Sequence, residues 1–290
     1  MCARRRLGWT ALGVAALTLL LAGAGRSRAG FTVFEANGPT PASITPTRDA
    51  FRAAVGGGAV AGANGSFGGL RREINWDGVP ATLSDPNPFP ADFFNVNSPR
   101  GAVFSTPGTG FLVSANAGGS TPVLFGFPND FQAFSPQKLF TAINSPITDV
   151  NFFLPGTADR ATTSAFGVIF VDAEVAGLTK VEFFDARNDL IFSRDALIGA
   201  NQGLTFLGGV ANAGEGISRV RITSGLNTIV ANGVLGNPND DVVVMDDFLY
   251  AEPLAVPAAT AAPEPASLTL LGLGALGLLG YGWRKRQQAA

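Results

Sequence analysis

The chain has no histidine and one cysteine, Cys2, among 290 residues. Without histidine there is no Ser-His-Asp triad and no imidazole ligand for zinc, so a general base has to be a carboxylate, a lysine or a tyrosine. Because Cys2 lies in an N-terminal segment that we expect to be removed, the mature body has no disulfide and no thiolate nucleophile. Its fold therefore depends on its apolar core.

The N-terminus has the three parts of a secretory signal peptide. A basic cluster, Arg4–Arg6, precedes the apolar stretch Trp9–Leu21, and small residues follow at the candidate cleavage sites 22–24 and 27–29. The apolar stretch is short for a membrane anchor. We therefore expect residues 1–29 to be a signal peptide.

Charge divides the chain into an acidic body and basic ends. Removing the two ends takes eight of the 20 Lys and Arg residues but one of the 22 Asp and Glu residues. An acidic body argues against a nucleic-acid partner, whose phosphates need a basic face. It also leaves carboxylates free for divalent cations.

The C-terminus combines three features in order. Pro263, Glu264 and Pro265 precede an uncharged apolar run at 266–283, and Arg284, Lys285 and Arg286 follow it. As a helix this run would be about 27 Å long, close to the hydrocarbon thickness of a bilayer. The pattern predicts a transmembrane helix with its basic end in the cytoplasm. The body at 30–253 would then lie outside, joined through an Ala-, Pro- and Thr-rich linker at 254–262.

This order of parts resembles the PEP-CTERM sorting signal of Gram-negative bacteria, over residues 263–286. The resemblance implies that an exosortase, an inner-membrane protease, recognises and cleaves the tail, with this chain as its substrate. It also implies an exopolysaccharide-producing setting. The partners expected are therefore the exosortase, the inner membrane during transit, and exopolysaccharide. The tail would be a transient anchor, and the destination would be the cell surface or the extracellular matrix. Spacing alone would support only an ordinary anchor.

Short apolar segments between Gly, Pro, Asn and Asp clusters predict a mainly β body. Residues 244–248 resemble the closing strand of jelly-roll and lectin-like β-sandwiches. We therefore expect such a sandwich with one or two short helices. The clearest strands are predicted at 165–171, 180–185, 205–210, 219–223 and 242–250.

Two strands and two helical segments can be predicted in more detail. In Arg219–Thr223 polar and apolar residues alternate, so Val220 and Ile222 should face a core, whereas residues 167–171 should be covered on both faces. A helix is expected with Thr45 as N-cap, Pro46 in its first turn and Gly56 at its end. A second helical turn is expected near Ser135 and Pro136.

Asp240, Asp241 and Asp246 form a candidate calcium site, because a polar turn and the strand after it bring several oxygens together. No EF-hand spacing is present, and a solvated acidic turn explains the same residues. Since neighbouring strand residues point to opposite faces, Asp246 and Asp247 should not both face the core.

Asn75, Trp76 and Asp77 form a candidate glycan-binding site, because an aromatic face beside hydrogen-bonding groups suits a sugar ring. The alternative is that Trp76 belongs to the core and that Asp77 and Gly78 form a turn.

A glycosidase would need a pair of carboxylates, and the candidates are Glu73, Asp77, Glu174 and Glu182. No spacing pairs them. The sequence therefore favours an exported envelope or matrix protein whose body is a structural or glycan-binding module and not an enzyme. The alternative function is a secreted carbohydrate-active enzyme.

Overall fold

A computed structural model describes residues 30–115, 123–229, 241–256 and 267–288. The signal peptide, Asp240 and Pro263–Pro265 lie outside these ranges. The helices are α1 (Pro41–Val55), α2 (Phe93–Val96) and α3 (Ser267–Gln287). The strands are β1 (Phe31–Gly38), β2 (Ser66–Phe67), β3 (Arg71–Ile74), β4 (Ala102–Ser105), β5 (Gly110–Val113), β6 (Phe140–Ile143), β7 (Ile147–Phe152), β8 (Ala161–Thr162), β9 (Ala165–Val171), β10 (Lys180–Phe184), β11 (Leu190–Asp195), β12 (Leu204–Ala211), β13 (Arg219–Thr223), β14 (Val244–Ala251) and β15 (Leu254–Ala255).

Thirteen of the strands form two antiparallel sheets that pack face to face, and β8 and β15 form a separate two-stranded sheet. The first sheet has the order β1-β12-β9-β14-β3-β2, and β6 joins it through β14 while pairing with β5. The second has the order β11-β10-β13-β7-β4. One apolar cluster draws side chains from both sheets, which is the arrangement of a sandwich. The predicted mainly β fold is confirmed.

The central strand β9 is buried along its whole length because both faces of the first sheet are covered. Phe166, Val168 and Phe170 face the second sheet, whereas Ala165 and the other odd-numbered apolar residues of β9 contribute to a cluster that includes helix α1. The even and odd positions thus serve different cores, as the period of two requires. In β13, Val220 and Ile222 are fully buried, as predicted.

Helix α1 begins earlier than predicted. Pro41 occupies the first turn after Thr40, and Pro46 lies inside the helix. The predicted end is correct, since the helix stops at Val55. The helix packs closely on β12, where a Cβ atom on Gly208 would lie 2.8 Å from the Phe51 ring. Glycine at this position therefore allows the close approach of helix and sheet.

Two further expectations need correction. Ser135 and Pro136 lie in a bend, not in a helical turn, because the amide and hydroxyl of Ser135 are bonded to Asp246. Leu254 and Ala255 were expected in the linker, but they form β15 and pair with β8.

The tail forms helix α3, and Arg284, Lys285 and Arg286 are exposed in its last turn. Within the described part of the chain, no helix combines the length and the apolar character needed to cross a membrane. The helical part of the prediction is therefore correct, whereas the membrane span expected at 266–283 is not supported.

Candidate functional site

A β-bulge in β14 places two carboxyl groups on the same face of the first sheet. The register against β9 shifts between Met245 and Phe248, and both of these residues pack in the core between the sheets. Asp246 and Asp247 between them are 0% and 4% exposed. Alternation predicted that they would not both face the core, and here both lie on the outer face, because the extra residue of a bulge breaks the alternation of side chains.

Asp246 anchors the loop that contains Ser135. Its Oδ2 accepts hydrogen bonds from the amides of Phe134, at 2.6 Å, and Ser135, at 3.2 Å, and its Oδ1 accepts one from the Ser135 hydroxyl at 2.9 Å. Burial raises the pKa of Asp246 well above its usual range, and the neighbouring Asp247 raises it further. Its hydrogen bonds give Asp246 a structural role.

Asp247 differs from Asp246 at one of its oxygens. Its Oδ1 is buried and lacks a hydrogen-bond partner among the described residues. Burial raises the pKa of Asp247 to about 6. Asp246, Ser135 and Arg48 lower this pKa, whereas the charge of Glu73 raises it. A buried polar atom without a partner at the wall of a cavity marks a candidate ligand contact.

Asp247 lines a cavity of about 580 Å³ on the outer face of the first sheet. The other walls come from α1, the Gly-rich segment at 61–67, β3, the loop at 98–100 and the bend at 134–136. A volume of roughly 300–1,000 Å³ is usual for small-molecule sites. The cavity is therefore large enough for a sugar unit; we call it the bulge cavity.

Three arginines and a glutamate line the bulge cavity. Arg52 donates to both oxygens of Glu73, and the Arg71 Nε lies 2.7 Å from Glu73 Oε1. The guanidinium of Arg48 lies 4.8 Å from the centre of the Phe134 ring. Glu73 is thus neutralised by two cations, while Arg48 extends a flat surface over an aromatic ring.

Arg100 is the third cavity arginine, and among the described residues it has no carboxylate within 4 Å. Its Nη1 donates to the backbone oxygen of Glu73. Burial lowers the pKa of Arg100, and the charge of Arg72 lowers it further. The Gly-rich wall comes close here, because a Cβ atom on Gly65 (φ 65°) would lie 2.8 Å from Arg100 Nη1.

Trp76 is not a sugar platform. Its side chain is 1% exposed and stacks on Phe140 at a centroid distance of 4.0 Å. Asp77 accepts hydrogen bonds from the amides of Gln137 and Lys138. The alternative of a core tryptophan is therefore correct, because surrounding aromatic side chains enclose it. Asn75 alone of the three predicted residues lines the bulge cavity.

The predicted calcium ligands do not form one group in the described part of the chain. Asp241 accepts a hydrogen bond from the Glu174 amide, whereas Asp246 is bonded to the Ser135 loop. Asp240 lies outside the described residues. Among those that are described, no three acidic, histidine or cysteine side chains are placed to hold a metal. Calcium binding stays a prediction.

Of the four carboxylates considered for catalysis, Glu73 alone lines the bulge cavity. Glu182 lies on the second sheet, 3.4 Å from Lys180. Sequence reasoning missed Asp247 and Arg100 as site residues. The signal that was present is the acidic pair at 246–247 inside an otherwise apolar strand, which is costly unless the charges have a role.

Comparison with known families identifies the tail. Residues 261–287 match the model of the PEP-CTERM protein-sorting motif. A search of curated proteins gives no match to the chain. The predicted sorting signal at 263–286 is therefore confirmed. The motif indicates export, C-terminal sorting to the cell surface and processing by an exosortase.

Proposed function

We propose that the exported body is a glycan-binding module that uses the bulge cavity to hold the protein on exopolysaccharide. The observation that supports this most is Asp247, which lines the cavity with Arg48 and Asn75 and whose buried Oδ1 has no hydrogen-bond partner among the described residues. A sugar hydroxyl donates one hydrogen bond and accepts others. One hydroxyl can therefore donate to the aspartate while it accepts from a guanidinium or an amide.

The proposal includes the route that delivers the body. Helix α3 would hold the chain at the inner membrane until an exosortase cleaves the tail, leaving the body at the cell surface or in the matrix. Mass spectrometry of the mature protein tests this step. We expect a C-terminus near Pro263, and a mature form that still ends beyond Arg286 would contradict the transient anchor.

Binding to a panel of acidic and neutral polysaccharides tests the module. We expect the full-length chain, purified in detergent, to be retained by at least one of them, and Asp247→Asn to weaken that retention about tenfold or more because a charge-assisted hydrogen bond is lost. Asp189→Asn is the matched control, since Asp189 is 69% exposed in the β10–β11 turn. Equal retention of both variants would contradict the use of the cavity. Repeating the measurement with calcium and with a chelator tests the calcium prediction.

The alternative function, a carbohydrate-active enzyme, has one observation in its favour. Glu73 and Asp247 line the same cavity in contrasting environments, because Glu73 pairs with two arginines while burial raises the pKa of Asp247 to about 6. Such a contrast suits an ionised carboxylate beside a general acid. Release of reducing sugar that both Glu73→Gln and Asp247→Asn abolish would favour the enzyme. Retention of polysaccharide without release favours the module.

A further inference from the structure

Two oppositely charged groups line the bulge cavity without neutralising each other. Asp247 Oδ1 has no hydrogen-bond partner, and Arg100 has no carboxylate within 4 Å, both within the described part of the chain. Asp247 is also more than 4 Å from any basic group of Arg48 and Arg52, although both line the same space. Among the described residues, the cavity therefore has one carboxylate and one guanidinium that form no ion pair.

Arginines are concentrated around the cavity although the body is acidic. Of the 12 basic residues between the signal peptide and the tail, five lie at or beside it: Arg48, Arg52, Arg71, Arg72 and Arg100. The first four of these pair with Asp49, Glu73 or Glu252. Arg100 pairs with none of the described carboxylates. An anionic group of a ligand would therefore bind Arg100 without displacing an existing ion pair.

A ligand that satisfies both groups needs an anionic substituent and a hydroxyl within one small ring. A hexuronate sugar has both, because its carboxylate can accept two parallel hydrogen bonds from a guanidinium and its ring hydroxyls can donate to an aspartate. A neutral sugar would satisfy Asp247 and leave Arg100 without a counter-charge. Leaving a half-buried cation unpaired costs free energy, so the acidic sugar should bind more tightly.

We propose that the bulge cavity selects hexuronate units of acidic polysaccharides, with Arg100 binding the sugar carboxylate and Asp247 accepting a ring hydroxyl. This inference rests on the glycan-binding function proposed above and names its ligand class. Arg48 completes the site, since its guanidinium lies over the Phe134 ring at the cavity wall. Direct contact with the sugar would then combine a charge-assisted pair, a hydroxyl contact and a guanidinium that lies over an aromatic ring.

The test compares two polymers that differ only in charge. Calorimetry measures binding of the full-length chain in detergent to polygalacturonate and to the same polymer after its carboxyl groups have been reduced to alcohols. We expect the acidic polymer to bind about tenfold or more tightly, and this preference to shrink as salt is raised. Free galacturonic acid should displace the polymer, whereas displacement by a free amino acid would overturn the assignment.

Variants assign the two contacts. Arg100→Gln should remove most of the preference for the acidic polymer, because the contact between its guanidinium and the sugar carboxylate is lost. Arg187→Gln is the control, because Arg187 is 74% exposed in the β10–β11 turn. Arg100→Lys keeps the charge and should restore part of the preference. Asp247→Asn should weaken binding to both polymers.

The outcomes separate this inference from the function on which it rests. Equal binding of the two polymers, lost in Asp247→Asn, would overturn hexuronate selectivity and leave the glycan-binding module standing. Binding to neither polymer, together with no binding in the polysaccharide panel, would overturn both. If Arg100→Gln folds, as its thermal unfolding would show, and keeps the full preference, Arg100 is not the carboxylate contact.

Discussion

The two faces of the first sheet bury their side chains for different purposes. On the inner face, Trp76, Phe140 and Phe248 pack against one another, and the indole Nε1 of Trp76 donates to the backbone oxygen of Asp246 at 2.8 Å. On the outer face, Asp247 is almost as buried, but one of its oxygens has no partner among the described residues. Burial alone therefore does not distinguish core from site. Asp247 belongs to the site because it also lines the bulge cavity.

One strand contributes to both faces. In β14, Phe248 and Tyr250 enter the inner core, whereas the bulge turns Asp246 and Asp247 outward. The hydroxyl of Tyr250 also donates to the backbone oxygen of Arg100 at 3.0 Å. The inner packing thus supports the loop that carries Arg100. Variants of each face should separate loss of stability from loss of binding.

Replacing Trp76 with alanine should have the largest effect on stability. The change removes the stacked contact with Phe140, edge contacts with Phe89 and Phe94, and a buried hydrogen bond. A buried tryptophan replaced by alanine typically costs about 3–5 kcal/mol of the free energy of unfolding. Denaturant titration measures this cost.

Trp283→Ala is the control for that measurement, because the side chain of Trp283 is 71% exposed on helix α3. Its unfolding midpoint should equal that of the wild type. A loss for Trp76→Ala of under about 1 kcal/mol would mean that Trp76 is not enclosed on the inner face.

Asp247→Asn should change how stability depends on pH. The pKa of Asp247 is about 6 in the folded protein, above the 3.8 of an unperturbed aspartate, so the folded state holds this proton more tightly. The wild type therefore gains stability from this group below about pH 4 and loses it as pH rises through 6. The loss is on the order of 2–3 kcal/mol. The asparagine variant should lack this component.

Measurements of the free energy of unfolding at pH 4 and pH 8 test the prediction on the wild type, Asp247→Asn and the control Asp189→Asn. Asp189→Asn should follow the wild-type pH dependence, because Asp189 is exposed. If the free energy of unfolding changes with pH in Asp247→Asn as it does in the wild type, the buried carboxyl of Asp247 does not hold its proton in this pH range.

Local patterns predicted the parts of this molecule that depend on local physics. The alternation in β13 correctly indicated a strand with one covered face, and the apolar run of β9 a strand with two. The order of the three parts of the tail along the sequence identified the sorting motif. The end of α1 was also predictable, since Gly56 stops the helix.

The bulge cavity was not predictable in the same way. A bulge depends on the register between β14 and β9, and the sequence of either strand alone does not determine this register. Trp76 has polar neighbours in sequence, and its burial is decided by Phe140 and other aromatic residues far along the chain. Arg100 has no ion pair among the described residues, and Glu73 and Glu252 are bonded to other arginines. Such features arise from the assembled fold.

Glu73→Gln should have the smallest of the three effects and act on the outer face alone. Glu73 neutralises Arg52 and Arg71, and Arg71 also donates to the backbone oxygens of Gly56 and Gly58. Because those carbonyls remain as acceptors, we expect the free energy of unfolding to fall by about 2 kcal/mol, less than for a fully buried pair.

Glu182→Gln is the matched control on the second sheet and should cost under about 1 kcal/mol, since its contact with Lys180 is a surface pair. Equal losses in the two variants, measured by denaturant titration, would contradict the view that the arginines of the outer face depend on Glu73.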